Sequence, residues 1–210
     1  MCPEFERVPG TYLSVSSRPS SLKTKLGDQM KKTTKFITQA AIIAALYVVL
    51  SLLTYTFSYL EIQCRIAEAL CMTIFYSPAG ICGVFIGCLI TNIFGGSMID
   101  VIFGSLTTLV AALLTFPIAR AIRKKHGPVL KMKHALLIPI PTVICNAIAI
   151  PFVLYFGYQV TSFANAESMI PVLSLLSLSV LIGEVISCYV FGPLFVIALN
   201  RVDKVLHLSE

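Results

Sequence analysis

The stretch RAIRKKHGPVLKMK, residues 120–133, decides which fold the sequence predicts, because it places six Lys and Arg residues between two long apolar runs. Lys and Arg collect on the cytoplasmic side of membrane proteins. Four crossings before this stretch put it on the same side as the basic residues at both ends, whereas three crossings would leave it outside. A span needs ~20 apolar residues. The apolar runs are 36–57, 60–77, 78–96, 98–120, 134–157 and 170–199. We therefore predict an all-α membrane protein, a six-transmembrane-helix bundle with both termini cytoplasmic.

Composition places the chain in the membrane class. Hydrophobic residues make up 57% and charged residues 12%, whereas a soluble domain carries about 25% charged residues. The net charge of +6 does not indicate nucleic-acid binding, because the basic residues lie at helix ends and in one loop. The seven cysteines show no C-x-x-C spacing, so we predict no disulfide framework, no metal site and no cofactor.

The chain divides into three parts. Residues 1–29 are polar, rich in Ser and Pro and without periodicity, and we expect a disordered N-terminal extension. Met30-Lys31-Lys32, directly before the first apolar run, has the form of a translation start, so this extension is expected to come from gene calling. Residues 30–205 form the membrane domain, and 206–210 a cytoplasmic tail.

Polar residues concentrate in the outer half of the predicted bundle. A charged group is costly near the centre of a bilayer and usually faces a cavity or a partner. Arg65, Glu68, Asp100 and Glu184 together carry a formal charge of −2 if all ionise. The arrangement predicts a pocket, open to the outside, for a small polar ligand that is neutral or cationic. Its expected substrate-binding residues are Gln63, Arg65, Glu68, Asn92, Asp100, Asn146 and Glu184.

Each of these residues also has a structural interpretation. Arg65 and Glu68 have the i,i+3 spacing of a surface ion pair on a helix. Asp100 has the spacing of a capping-box residue, and Asn146 could join two helices. Glu184 is the hardest to explain structurally, because a lone carboxylate at that depth needs a partner, a proton or a ligand.

Small residues form a stripe on the first helix. The stripe consists of Ala40, Ala41, Ala44 and Ala45. Such spacing lets another helix approach closely, either inside the bundle or from a separate membrane subunit. Gly83 and Gly87 form a second packing face of this type, and the prolines 139, 141 and 151 predict a kinked or partly unwound fifth helix.

Four motifs resemble those of a known family. They are QAAIIAALYVVL at 39–50, IQ-x-RI-x-EAL at 62–70, DVIFGSL at 100–106 and Gly183-Glu184. Together they resemble the QueT family, which are substrate-binding S components of energy-coupling factor (ECF) transporters associated with queuosine-precursor uptake. The resemblance covers residues 30–205, and Cys64 stands where a bulkier apolar residue is expected.

The resemblance implies a function and partners. The chain would capture a 7-deazaguanine, such as 7-aminomethyl-7-deazaguanine or queuine, at a bacterial cell membrane. A transmembrane T component, facing the alanine stripe, and two ATP-binding subunits would energise uptake. Glu68 and Glu184 would supply carboxylates to the ligand, and Arg65 would either orient Glu68 or bond the ligand's O6.

Other functions stay open at this point. The cargo could be another vitamin or nucleobase, or the chain could be a proton-coupled carrier acting alone. An intramembrane enzyme is disfavoured, because His126, His134 and His207 lie on the predicted cytoplasmic side, away from the carboxylates. The sequence also contains neither H-E-x-x-H nor G-x-S-x-G.

Overall fold

The structure is a computed structural model, and it describes residues 20–54, 65–95, 98–157 and 169–206. Every regular element in these ranges is helical, so the prediction of an all-α fold is confirmed for the part of the chain that is described. The chain forms two compact units, Met1–Lys35 and Phe36–Glu210.

Helix α1 spans Ser20–Leu53. It therefore includes residues 20–29, the end of the segment in which we expected disorder, because adding residues to an existing helix is easier than starting one. The rest of that segment, 1–19, lies outside the described residues. Within the first unit, the hydroxyls of Thr33 and Thr34 donate to backbone carbonyls one turn earlier.

Helix α2 is short and tightly wound. A 3₁₀ helix over Ile66–Met72 continues into one α-helical turn, Thr73–Tyr76. Helix α3 follows at Ala79–Gly95. From the rise per residue, α2 is about 20 Å long and α3 about 26 Å, both less than the ~30 Å thickness of the hydrocarbon core.

The remaining helices are longer and contain local irregularities. Helix α4 joins a π-helical turn, Asp100–Gly104, to Ser105–His126. A single turn at Met132–Ala135 precedes α5, Ile140–Gly157. Pro139 and Pro141 lie at this interruption, which is consistent with the predicted unwinding of the fifth helix. Helix α6 runs through Met169–Ile186, a π-helical turn Ser187–Phe191, and Gly192–Leu206.

In the part of the chain that the structure describes, four helices are long and apolar enough to cross a membrane. They cover Asp28–Leu53, Asp100–His126, Met132–Phe156 and Met169–Val202, whereas α2 and α3 are shorter apolar helices. Large apolar side chains are widely exposed on these helices, as expected for surfaces that contact lipid. The chain is therefore a multi-pass membrane protein. Six crossings and cytoplasmic termini stay predictions, because α2 and α3 are shorter than a standard span.

Close approach of α1 and α3 organises the bundle. A Cβ atom on Gly83 would lie 2.6 Å from Ile43 Cβ and 3.0 Å from the Ala40 carbonyl oxygen. One turn on, a Cβ on Gly87 would lie 2.5 Å from Tyr47 Cβ. Only glycine fits at both positions, so the G-x-x-x-G face packs against α1.

Two polar side chains, Arg123 and Asn200, connect the end of α2 to α4 and α6. Arg123 of α4 donates to the backbone oxygens of Phe75 and Tyr76 at 3.3 and 2.8 Å, at the end of α2. Oδ1 of Asn200 on α6 accepts hydrogen bonds from the Tyr76 hydroxyl at 2.6 Å and from the backbone N–H of Leu130 at 3.3 Å. Nδ2 of Asn200 donates to the Leu130 carbonyl oxygen at 3.0 Å. The basic stretch between α4 and α5 is thus fixed to α6.

Candidate functional site

Five of the seven predicted binding residues are buried polar residues inside the bundle. Each is at most 2% exposed, although each carries a charge or an amide: Glu68, Asn92, Asp100, Asn146 and Glu184. Their burial requires hydrogen-bond or charge partners. Gln63 lies outside the described residues.

Arg65 pairs with Asp100. The Nη2 atom of Arg65 lies 3.0 Å from Oδ2 of Asp100, and the two side chains are 11% and 2% exposed. Arg65 is the N-terminal cap of the 3₁₀ helix of α2, with non-helical φ −92° and ψ 85°, and its carbonyl oxygen accepts a hydrogen bond from the backbone N–H of Glu68 at 3.0 Å. The ion pair therefore joins α2 to α4, although Arg65 still lies within electrostatic range of Glu68.

The π-helical turn of α4 shapes this corner. A Cβ on Gly104 would collide with the carboxylate of Asp100 and lie 3.2 Å from Asn92 Nδ2. Asn92 Nδ2 donates to the backbone oxygen of Asp100 at 3.1 Å and to Ser105 Oγ at 3.3 Å. Gly104 thus leaves room for the Asp100 side chain, and Asn92 holds the backbone of the turn.

Glu68 is held from α1. The Tyr47 hydroxyl donates to Oε1 of Glu68 at 2.6 Å, and Thr108 lies within interaction range of the same carboxylate. Sequence reasoning did not select Tyr47 or Thr108 as site residues. Tyr47 continues the helical face of Ala40 and Ala44, and that spacing was the available signal for its burial.

Glu184 is held from α5. The Nδ2 atom of Asn146 donates to Oε1 of Glu184 at 2.8 Å, and Cys188 Sγ lies 3.9 Å from Oε2. The Oδ1 atom of Asn146 is buried and has no hydrogen-bond partner among the described residues. Asn146 therefore does join two helices, as one of its interpretations required, and it also presents an unused acceptor.

The two glutamates share one electrostatic environment. Glu184 lies within electrostatic range of both Glu68 and Arg65. The guanidinium of Arg65 is engaged by Asp100, so in the described part of the cluster its charge is shared among three carboxyl groups. Such a site favours ligands that bring N–H donors or a positive charge.

The small-residue stripe on α1 has two faces. Ala40 and Ala44 are buried, with their carbonyl oxygens 3.0 Å from where Cβ atoms on Gly83 and Gly87 would lie, so these two residues pack inside the bundle. This contact fits one of the two interpretations of the stripe, packing inside the bundle, and docking of a membrane subunit on the stripe stays a prediction. Ala41 and Ala45 are exposed.

The two described histidines, His126 and His134, lie next to each other. The rings of His126 and His134 stack at a centroid distance of 3.8 Å, and His207 lies outside the described residues. Residues 20–54, 65–95, 98–157 and 169–206 contain no group of three or more His, Cys, Asp or Glu residues that could hold a metal.

An apolar cavity of about 450 Å³ lies between α4 and α5. Its wall includes Ile99, which precedes Asp100, and Ala149, which lies one helical turn beyond Asn146. Phe103, Phe152 and Phe156 also line it. Aromatic side chains of this cavity therefore lie on the same helices as Asp100 and Asn146 of the buried polar cluster.

Apolar helices around a buried polar cluster define a multi-pass membrane protein with an internal polar site. The sequence profile of the family described as QueT transporter matches residues 37–201. The chain belongs to this family, which confirms the resemblance seen in the four motifs.

Comparison with known proteins gives one relative and no structural match. The chain is 43% identical over 84 residues to the Queuosine precursor transporter QueT of Lactococcus lactis subsp. cremoris (strain MG1363). The match covers 39% of this chain and 50% of that protein, so the chain spans about half the length of the curated relative. No solved structure is significantly similar.

Proposed function

We propose that the chain captures a 7-deazaguanine precursor of queuosine from outside the cell and that a separate ATPase module drives its uptake. Membership of the QueT transporter family and the name of the Lactococcus relative support this class of cargo. The observation that carries the proposal is the burial of two carboxyl groups inside the bundle, Glu68 on α2 and Glu184 on α6, each hydrogen-bonded to a side chain of another helix.

The chemistry of a deazaguanine suits this site. Its N1–H and its exocyclic amine are neighbouring hydrogen-bond donors, and the two oxygens of one carboxylate can accept one hydrogen bond from each. An aminomethyl substituent adds a cation, which a second carboxylate would stabilise. Hydrogen bonds to charged groups contribute about 1.5–3 kcal/mol each, and stacking of the ring on aromatic side chains adds about 0.5–1.5 kcal/mol.

Arg65 has a positioning role in this proposal. Its ion pair with Asp100 supports a function in holding the wall formed by α2 and α4. Contact between Arg65 and the ligand's O6 is the alternative, and both roles place Arg65 beside Glu68.

The sequence contains no G-x-x-x-x-G-K-[ST] phosphate-binding loop, so ATP-driven uptake by that route would use separate subunits. The proposed partners are an ECF transmembrane T component and two ATP-binding subunits. The exposed face of α1 that carries Ala41 and Ala45, together with Ile42 and Leu46, is available for a membrane partner. The proposed docking face is therefore the exposed side of the alanine stripe, which carries Ala41 and Ala45.

Binding measurements on charge-neutral variants test the proposal. The variants Glu68→Gln and Glu184→Gln keep the shape of the side chain and remove its charge. We expect each to weaken binding of 7-aminomethyl-7-deazaguanine by about 10-fold or more, as loss of a charge-assisted hydrogen bond implies. The control Asp28→Asn removes a carboxylate on the exposed part of α1 and should bind like the wild type. Unchanged affinity in both glutamine variants would refute the proposal.

A proton-coupled carrier acting alone is the second candidate, and the burial of Glu184 favours it. Reconstitution of the purified chain in vesicles separates the two. Uptake driven by a proton gradient without ATP-binding subunits would support the carrier, whereas uptake only with those subunits and ATP would support the capture role. Competition with other vitamins and nucleobases tests the remaining alternative, a different cargo.

A further inference from the structure

The unused oxygen of Asn146 distinguishes the two glutamates. At one end of the amide, Nδ2 donates a hydrogen bond to Oε1 of Glu184 at 2.8 Å. At the other end, Oδ1 is buried without a partner among the described residues. With Glu184 ionised, reversing the amide would turn its oxygen toward a carboxylate oxygen that has no proton to donate, so the hydrogen bond selects the amide orientation. A buried acceptor without a donor is costly, and native structures usually supply one.

The close donor to Glu68 is a hydroxyl, whereas the close donor to Glu184 is an amide that carries an acceptor oxygen of its own. Oε1 of Glu68 accepts a 2.6 Å hydrogen bond from Tyr47, and Thr108 and Arg65 lie within interaction range. Glu184 has one close donor, Asn146, and a thiol at 3.9 Å from Oε2. Acceptor capacity is therefore left over on the Glu184 side of the cluster.

The helices that carry Glu184 and Asn146 are firmly joined. Helices α5 and α6 pack along their lengths, and Ser177 Oγ donates to the Ala147 carbonyl oxygen at 2.7 Å. Ala147 follows Asn146 directly, so the backbone beside the amide is fixed. A site for hydrogen-bond recognition needs this kind of rigid support.

We infer that Asn146 and Glu184 together are the specificity-determining pair that reads two adjacent N–H donors of the ligand, the N1–H and exocyclic amine of a guanine-type ring. Asn146 is a direct ligand contact in this inference, and Glu68 is held by Tyr47 for a different part of the ligand. The inference rests on the proposed function, because it assigns one edge of the proposed ligand to one pair of residues.

A pair of ligands tests the assignment on the full-length wild-type chain. 7-Deazaguanine carries both donors, and 7-deazahypoxanthine lacks the exocyclic amine. Both dissociation constants are measured by isothermal titration calorimetry on the purified protein. We expect 7-deazaguanine to bind about 10-fold or more tightly, because the analogue leaves a buried acceptor unpaired.

Two variants locate the preference. Asn146→Leu, which has a similar size and no acceptor, should reduce the preference to less than about threefold, the level expected once the acceptor is lost. The control Ser174→Ala removes a hydroxyl that donates to the Pro171 carbonyl oxygen on the exposed part of α6 and should keep the wild-type ratio. If Asn146→Leu does not fold, the ratio in Tyr47→Phe decides: the wild-type ratio there supports the assignment, and loss of the ratio overturns it.

The outcomes separate the inference from the proposed function. Tight binding of both ligands by the wild type with equal affinity would overturn the inference and leave the function standing. An unchanged ratio in Asn146→Leu, with loss of the ratio in Tyr47→Phe, would overturn it by assigning this edge to Glu68. Binding of neither ligand would overturn both.

Discussion

Gly87→Ala links helix packing to the site. The new Cβ would lie 2.5 Å from Tyr47 Cβ and 3.0 Å from the Ala44 carbonyl oxygen, whereas carbon atoms in contact are separated by about 3.5–4.0 Å. Helix α1 must therefore move by about 1 Å, the difference between these separations. Such overpacking costs about 1–3 kcal/mol of stability.

The same shift acts on the site through Tyr47. Its hydroxyl donates to Glu68 at 2.6 Å, and a displacement of about 1 Å exceeds the range of good hydrogen-bond distances. Loss of a hydrogen bond to a charged group is worth about 1.5–3 kcal/mol, or roughly 10- to 100-fold in an equilibrium constant. We expect Gly87→Ala to lower ligand affinity by about 10-fold or more if Glu68 contacts the ligand.

Gly83→Ala is the matched control. Its Cβ would crowd Ile43 Cβ at 2.6 Å and the Ala40 carbonyl oxygen at 3.0 Å, a similar clash one turn away from Tyr47. Thermal unfolding should show a comparable loss of stability in both variants, about 2–12 °C in melting temperature for a cost of 1–3 kcal/mol. Calorimetric titration with 7-aminomethyl-7-deazaguanine should then show an affinity loss only in Gly87→Ala. Equal affinity losses in both variants, or none in Gly87→Ala, would refute the reasoning.

Three further predictions concern other parts of the bundle. Arg65→Met removes the ion pair with the buried Asp100 carboxylate and should cost about 3–5 kcal/mol. Adding Asp100→Asn should recover part of this loss, and equal melting temperatures of the single and double variants would contradict it. Gly104→Ala pushes into the Asp100 carboxylate and should weaken ligand binding more than the control Gly83→Ala does, as measured by titration. Asn200→Ala removes hydrogen bonds to Leu130 and Tyr76 and should cost about 1–3 kcal/mol in thermal unfolding; binding should stay unchanged, because Asn200 lies about 24 Å along α6 from Glu184.

The sequence predicted the helices and the buried residues well, for a physical reason. Apolar runs report directly on burial in lipid or in the bundle. Polar residues within such runs must be satisfied internally. This is why Glu68, Asn92 and Glu184 could be selected from the sequence and are found buried.

Partners across the bundle could not be predicted, because they depend on the rotation and winding of each helix. Arg65 lies before the 3₁₀ helix of α2 with non-helical backbone angles, and its guanidinium pairs with Asp100 on α4. The sequence does not distinguish Tyr47 from other aromatic residues in membrane helices. Its contact with Glu68 depends on how α1 packs in the bundle. The π-helical turns at Asp100 and Ser187 have no simple signal in the sequence.

The alanine stripe shows the same limit. Sequence spacing identified four small residues on α1 but could not say which neighbour each one faces. The structure shows that Ala40 and Ala44 face the glycines of α3, whereas Ala41 and Ala45 lie on the exposed side of α1.

The central claim is that the buried glutamates bind a deazaguanine. Its most direct test is calorimetric titration of 7-aminomethyl-7-deazaguanine into the purified wild type and the Glu68→Gln/Glu184→Gln double variant. The account predicts saturable binding by the wild type and a loss of about 100-fold or more in the double variant, the product of two charge-assisted hydrogen bonds. Equal affinities of the two proteins would contradict it.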